Sequence, residues 1–167
     1  MPVTLDLAET VADALIAKLQ AGMSARVAAI NAARNDGIVV AAPDASAYYV
    51  GGLPGIPPPA ACIVVTELGA EDFEAEGPHS FVAPIQMLVW IQEVDTDRST
   101  LARKLWRQAQ AVTETVWDDD PKEALSGSAF HVRPLRRVPG PVFSPEDGRS
   151  MWTGHMGVVF LCRTFEG

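Results

Sequence analysis

Apolar residues along this chain recur with a period of about four in two stretches and of about two in several others, and the changes of period mark out the elements. Between residues 5 and 34, Leu7, Val11, Leu15, Leu19, Val27 and Ile30 form a stripe that predicts a helix with one buried face. Gly22 interrupts the stripe and Ser24 is a good N-cap, so the pattern allows one bent helix or two, broken at Gly22-Met23. Asn35-Asp36-Gly37 supplies the stop. Residues 41–60 carry Pro43, Pro54, Pro57, Pro58 and Pro59 with three glycines, which predicts a long connection with one short candidate strand, Tyr48-Tyr49-Val50. A connection of that length is expected to be functional or to lie on a partner.

Residues 61–67 read as a strand apolar on both faces, hence central in its sheet. Residues 69–80, with Glu71, Asp72, Glu74 and Glu76, read as an exposed acidic loop. In strand 81–93 the odd positions Phe81, Ala83, Ile85, Met87, Val89 and Ile91 are all apolar and predict the core face. The even face carries Gln86 and Gln92 but also Leu88 and Trp90, and Pro84 predicts an edge or a bulge. Asp95-Thr96-Asp97 caps a helix over 97–117, with Leu101, Leu105, Ala109, Val112 and Val116 buried and Arg103, Lys104, Arg107 and Gln108 wet. Trp106 and Trp117 flank that stripe. Asp120, Pro121 and Glu123 suggest one more helical turn.

Strand 130–138 places Phe130, Val132 and Val138 on one face and His131, Arg133, Leu135 and Arg137 on the other. A loop over 139–150 leads to strand 151–163, with Trp152, Met156, Val158, Phe160 and Cys162 opposite His155, Val159, Leu161 and Arg163. The expected fold is a single α+β domain over 1–167: an antiparallel sheet of about four strands with two main helices packed on one face.

With 167 residues the chain buries roughly two-thirds of its unfolded surface and needs no staple. Its net charge of −8 disfavours nonspecific binding to nucleic acid or anionic membranes. No apolar run is long enough for a transmembrane helix, and the first residues lack a signal-peptide pattern, so a cytoplasmic site of synthesis is expected. Cys62 and Cys162 read as two buried free thiols.

Chemistry is not legible in the motifs. His79, His131 and His155 stand singly and neither cysteine has a near partner, so no metal site and no cofactor is expected. Asp118-Asp119-Asp120 reads as a helix end followed by an N-cap. No nucleophile elbow or phosphate-cradling loop occurs, and His155 lies mid-strand without an evident orienting partner, so no catalytic residue is assigned. Arg133, Arg136 and Arg137, with Arg149 and Arg163, form a basic cluster. It is either a solvated strand face or a contact for the acidic loop of a neighbouring copy, with DNA phosphate a third option.

The stretch from Met23-Ser24-Ala25-Arg26-Val27-Ala28-Ala29-Ile30-Asn31 through Gly37-Ile38, Pro43 and Tyr48-Tyr49-Val50-Gly51 to Pro59-Ala60-Ala61-Cys62-Ile63-Val64-Val65 carries a resemblance. It resembles the N-terminal half of tail-completion and tail-terminator (neck) proteins of tailed bacteriophages and phage-like particles. The later order of long strand, amphipathic helix and two strands is similar to the tail-terminator fold. The resemblance implies a structural virion protein without catalytic residues. Such proteins form a ring, commonly a hexamer, assembled in the bacterial cytoplasm and sited at the head–tail junction. There it caps the tail tube and meets the tail tube protein and the head-completion or neck proteins, while DNA passes through without specific binding. On that reading Leu88, Trp90, Val159 and Leu161 are expected to contact neighbouring subunits, with Arg133 and Arg137. The alternatives are a head-completion or adaptor neck protein, and a small α+β enzyme or ligand-binding domain with a pocket under residues 41–60.

Overall fold

Both amphipathic stretches fold as helices against one face of a mixed sheet, in a computed structural model that describes residues 7–51, 62–70, 74–75, 81–117, 125, 131–145 and 151–166. The elements run α1 (Leu7–Arg34), β1 (Tyr48–Val50), β2 (Cys62–Ala70), β3 (Glu74–Ala75), β4 (Phe81–Asp95), α2 (Arg98–Trp117), β5 (His131–Phe143) and β6 (Trp152–Glu166). The strand order is β1-β2-β4-β6-β5, with β3 pairing the first residues of β4. β1 runs parallel to β2 and every other pair is antiparallel. The α+β class agrees with the sequence pattern. The sheet is wider than four strands because Tyr48–Val50 and Glu74–Ala75 both join it, the latter within the stretch expected to be an acidic loop. The expected turn at Asp120, Pro121 and Glu123 and most of the acidic stretch lie outside the described residues.

Gly22 does not break α1. A Cβ there would sit 2.6 Å from Thr115 Cγ2, so the bare backbone lets α1 and α2 approach closely. Thr115 is held in place by the contact of its Oγ1 with Met23 Sδ at 3.7 Å. Close packing thus explains a residue that costs a helix interior about 1 kcal/mol relative to alanine. The helix ends as its sequence predicts, with Asn35 at φ +43° and Gly37 at φ +81°. Asn31 then ties down the outgoing chain: its amide donates to the Val40 carbonyl at 2.7 Å and its oxygen accepts from the Val40 N–H at 3.1 Å.

β4 and β6 pair along their full length, from Phe81 opposite Glu166 to Asp95 opposite Trp152. Ile85, Met87, Val89 and Ile91 of β4 and Met156, Val158, Phe160 and Cys162 of β6 face the helices. There they meet Val11, Leu15, Leu19 and Met23 of α1 and Leu101, Leu105, Ala109, Val112 and Val116 of α2 in one core. Pro84, although in an interior strand, lies between the described pairings of β2 and of β3 with β4. β2 ends at Ala70 opposite Ile85, and β3 starts at Glu74 opposite Val82.

β5 departs most from its expected alternation. Register shifts between Pro134 and Arg136 and between Pro139 and Val142 insert extra residues. Each such bulge turns the following side chains to the other face. Val132 opposite Cys162 and Arg137 opposite Val158 therefore both lie on the helix side, whereas Arg133 opposite Leu161 and Arg136 opposite Val159 lie on the other. β5 is an edge strand, and Pro134, Pro139 and Pro141 with its two bulges blunt it against strand addition.

Cys62 and Cys162 are free and buried. Cys162 faces the helices and Cys62 faces away, so the two do not pair across the sheet. Burial pushes the Cys162 thiol up to about 12, which keeps it protonated and inert.

Candidate functional site

The sheet face away from the helices carries Cys62 and Val64 of β2, Leu88, Trp90 and Gln92 of β4, and His155, Val159 and Leu161 of β6. Trp90 stacks on His155 with ring centroids 5.9 Å apart, and Phe143 meets the same imidazole edge-on at 5.7 Å. The second β5 bulge lays Gly140 on this cluster: a Cβ there would sit 2.6 Å from the Trp90 ring. His155 Nδ1 lies 2.9 Å from the Pro141 carbonyl oxygen, and Nε2 lies 3.1 Å from Gln92 Oε1. A carbonyl only accepts, so Nδ1 donates to Pro141, and a neutral ring accepts at Nε2 with the Gln92 amide turned to present its NH2. Both ring nitrogens are engaged, so His155 pins the β5 bulge to β4 and β6.

This changes the part expected of the even face. Trp90, Val159 and Leu161 are 8%, 0% and 4% exposed in the single chain, so almost none of their surface is left for a neighbour. Leu88 is half-buried, and Arg133 and Arg137 are exposed. The sequence pattern marked the apolar residues on this face correctly but gave no sign that one chain covers them.

A second arrangement was not anticipated. Arg107 and Gln108, expected on the wet face of α2, are 6% and 0% exposed. The backbone after α1 lies across them. Arg107 donates to the Ile38 carbonyl and the Asp36 carboxylate, and Gln108 donates to the Ala41 carbonyl at 2.8 Å. Arg34, Asp36, Arg103, Trp106, Arg107 and Arg137 line a cavity of about 370 Å³ beside this crossing. The hydrogen bond from Arg107 holds the Asp36 carboxyl below the usual range, and Arg103 lies 3.9 Å from the same carboxylate. The one signal in the sequence was an arginine at 103 and 107 on successive turns. Only the fold adds Arg34 and Arg137 to them.

Beneath the crossing, Glu93 of β4 accepts from Gln108 Nε2 at 3.1 Å and from the Val94 N–H at 3.1 Å. Burial raises the Glu93 carboxyl above its usual range, against the pull of Gln108, Val94 and Lys104, and the Asp95 charge adds to the rise. Lys104 pairs with Asp95 at 2.7 Å. A raised acid stabilises the fold in its neutral form. Its contribution is complete below the unfolded value near 4.5 and is lost as pH rises through the folded value. Glu93→Gln is therefore expected to stabilise the protein at pH 7 by on the order of 1 kcal/mol, or about 2–4 °C in melting temperature. The gain should vanish near pH 4. Calorimetry of both proteins at the two pH values checks this, and a variant that melts lower at pH 7 would contradict it.

Among the described residues, no three His, Cys, Asp or Glu side chains gather as a metal site, and no helix is long and apolar enough to cross a membrane. No protein-family model matches the chain. No curated protein matches it. Among solved structures it is similar to a chain of the virion of a native gene transfer agent (GTA) particle. The TM-score is 0.46 and the identity 19%, over 89% of this chain and 95% of that one.

Proposed function

We propose that this chain is a structural virion protein of a tailed phage or phage-like particle, forming a ring at the head–tail junction that terminates the tail tube and joins it to the neck. The observation that carries the reading is the element order the resemblance implies. A long strand, β4, leads directly into an amphipathic helix, α2, and two further long strands pair antiparallel to complete the sheet, with both helices on one face. A ring subunit needs two different patches that meet around a closed rotation. On this reading Arg133 and Arg137 of the blunted β5 edge, with half-buried Leu88, face neighbouring subunits. Trp90, Val159 and Leu161 stiffen the sheet face that Leu88 and Arg133 share. Partners are further copies, the tail tube protein and the neck proteins.

The test is the native mass by light scattering, with negative-stain images. The expected result is a closed ring of about six copies, in keeping with the symmetric closure of homo-oligomers. A ring of about twelve would move the protein to an adaptor role. A monomer at every concentration, also in the presence of the tail tube protein, would end the ring reading.

A further inference from the structure

The arginine-lined cavity is a strongly charged feature of the helix layer. Arg34 comes from the last turn of α1, Arg103 and Arg107 from α2, and Arg137 from β5. Four guanidinium groups face one carboxylate, Asp36, on a chain whose net charge is −8. Arg107 is committed to Asp36 and to the Ile38 carbonyl, and Arg103 lies at the edge of the same carboxylate. Arg34 and Arg137 make no ion pair among the described residues. Trp106 stands on the rim, 57% exposed. The cavity thus offers fixed positive charge next to an open aromatic face, a setting for a ligand that is both anionic and apolar.

The chain carries such a ligand itself. Glu71-Asp72-Phe73-Glu74-Ala75-Glu76 places four carboxylates and one phenyl ring in six residues. The described part of this stretch, Glu74–Ala75, lies far along the sheet from the cavity of its own molecule. Ala75 pairs with Phe81 at the start of β4, whereas Arg137 pairs with Val158, which pairs with Val89. Eight residues of strand separate the two rows, roughly 26 Å at about 3.3 Å per residue. Two complementary patches set apart on one chain make a head-to-tail contact between copies.

We infer that the cavity formed by Arg34, Arg103, Arg107 and Arg137 with Trp106 is the docking site for the acidic segment 71–76 of a second copy of this chain. The inference rests on the ring reading and names one of its contacts. Duplex DNA is the rival anion. Its phosphates would engage the arginines but leave no ring for Trp106, and the charge of the whole chain repels it.

The test uses two charge-reversed full-length chains. One carries Glu71→Lys, Asp72→Lys and Glu74→Lys, which leaves the cavity open. The other carries Arg34→Glu and Arg103→Glu, both at exposed positions, with Arg34→Gln and Arg103→Gln as a milder pair should the first fold poorly by circular dichroism. A fluorescent peptide spanning residues 69–78 is titrated onto the lysine chain by anisotropy. The expected result is salt-sensitive binding that weakens roughly tenfold or more when the two arginines are also changed. In light scattering each variant alone should fail to assemble, and an equimolar mixture should assemble again, because each patch then meets its opposite charge. Peptide binding that ignores the arginine changes, or no binding at all, overturns the site. So does arginine-dependent binding of a short DNA duplex in place of the peptide. The two readings fail separately. A wild-type monomer that still takes the peptide through these arginines removes the ring and keeps the site. A wild-type ring that survives both charge reversals removes the site and keeps the ring.

Discussion

Phe160→Ala is expected to lower the unfolding free energy by about 3–5 kcal/mol, the usual cost of removing a phenyl ring from a closed core. Phe160 is fully buried on β6 and stands between Met87 of β4 and Pro134 of β5 in the ladder. The sheet cannot fold inwards over the space, because β4 and β6 are held in register on both sides of it. A loss of that size is a large fraction of the roughly 5–15 kcal/mol that holds a domain together. Urea denaturation should show a lower midpoint at unchanged slope. Phe160→Leu keeps most of the volume and should cost about 1.5 kcal/mol or less. If the alanine variant loses no more than the leucine variant, the β6 face is not the closed core described above.

Trp90→Asp should abolish cooperative folding, whereas Trp90→Phe should melt within about 5 °C of the parent. Trp90 is 8% exposed, stacked on His155, and packed against the backbone at Gly140 and Gly157. A carboxylate there would be shut away from water among the residues that now enclose the indole, a cost above about 4 kcal/mol. Phenylalanine loses some contact area but also removes the indole Nε1–H, which is buried without a hydrogen-bond partner among the described residues. Far-UV circular dichroism during heating separates the two. If Trp90→Asp melts like the parent, the face away from the helices is open to solvent. Any loss of assembly in the aspartate variant would follow from unfolding, so tests of subunit contacts belong at Leu88, Arg133 and Arg137.

The helices were legible because their stripes are long and regular: all five predicted α2 residues, Leu101 to Val116, are buried. The odd and even faces of β4 and β6 were legible for the same reason, since neither strand contains a bulge in the ladder they share. β5 was not, because a bulge leaves no periodic trace and reverses the side-chain faces that follow it. Glu74–Ala75 joined the sheet against its composition, since cross-strand pairing with Phe81 and Val82 outweighs the weak strand preference of Glu and Ala. Arg107 and Gln108 read as surface residues because their burial comes from a segment about 70 positions away, through hydrogen bonds from Arg107 to Ile38 and from Gln108 to Ala41. No local pattern encodes such a crossing.

The amino-acid sequence by itself determined the α+β class, the two helix stripes, the helix caps at Asp97 and Asn35 and the core faces of β4 and β6. Each depends on neighbours within a few positions, and local sterics and hydrogen bonding act at that range. The tertiary structure alone decided which side of β5 its arginines take, that Trp90 and Val159 are covered within one chain, and that four arginines from three elements share one cavity with Asp36. Those outcomes depend on register and on long-range packing, where the side chain's environment is set by strands and loops far away in the sequence.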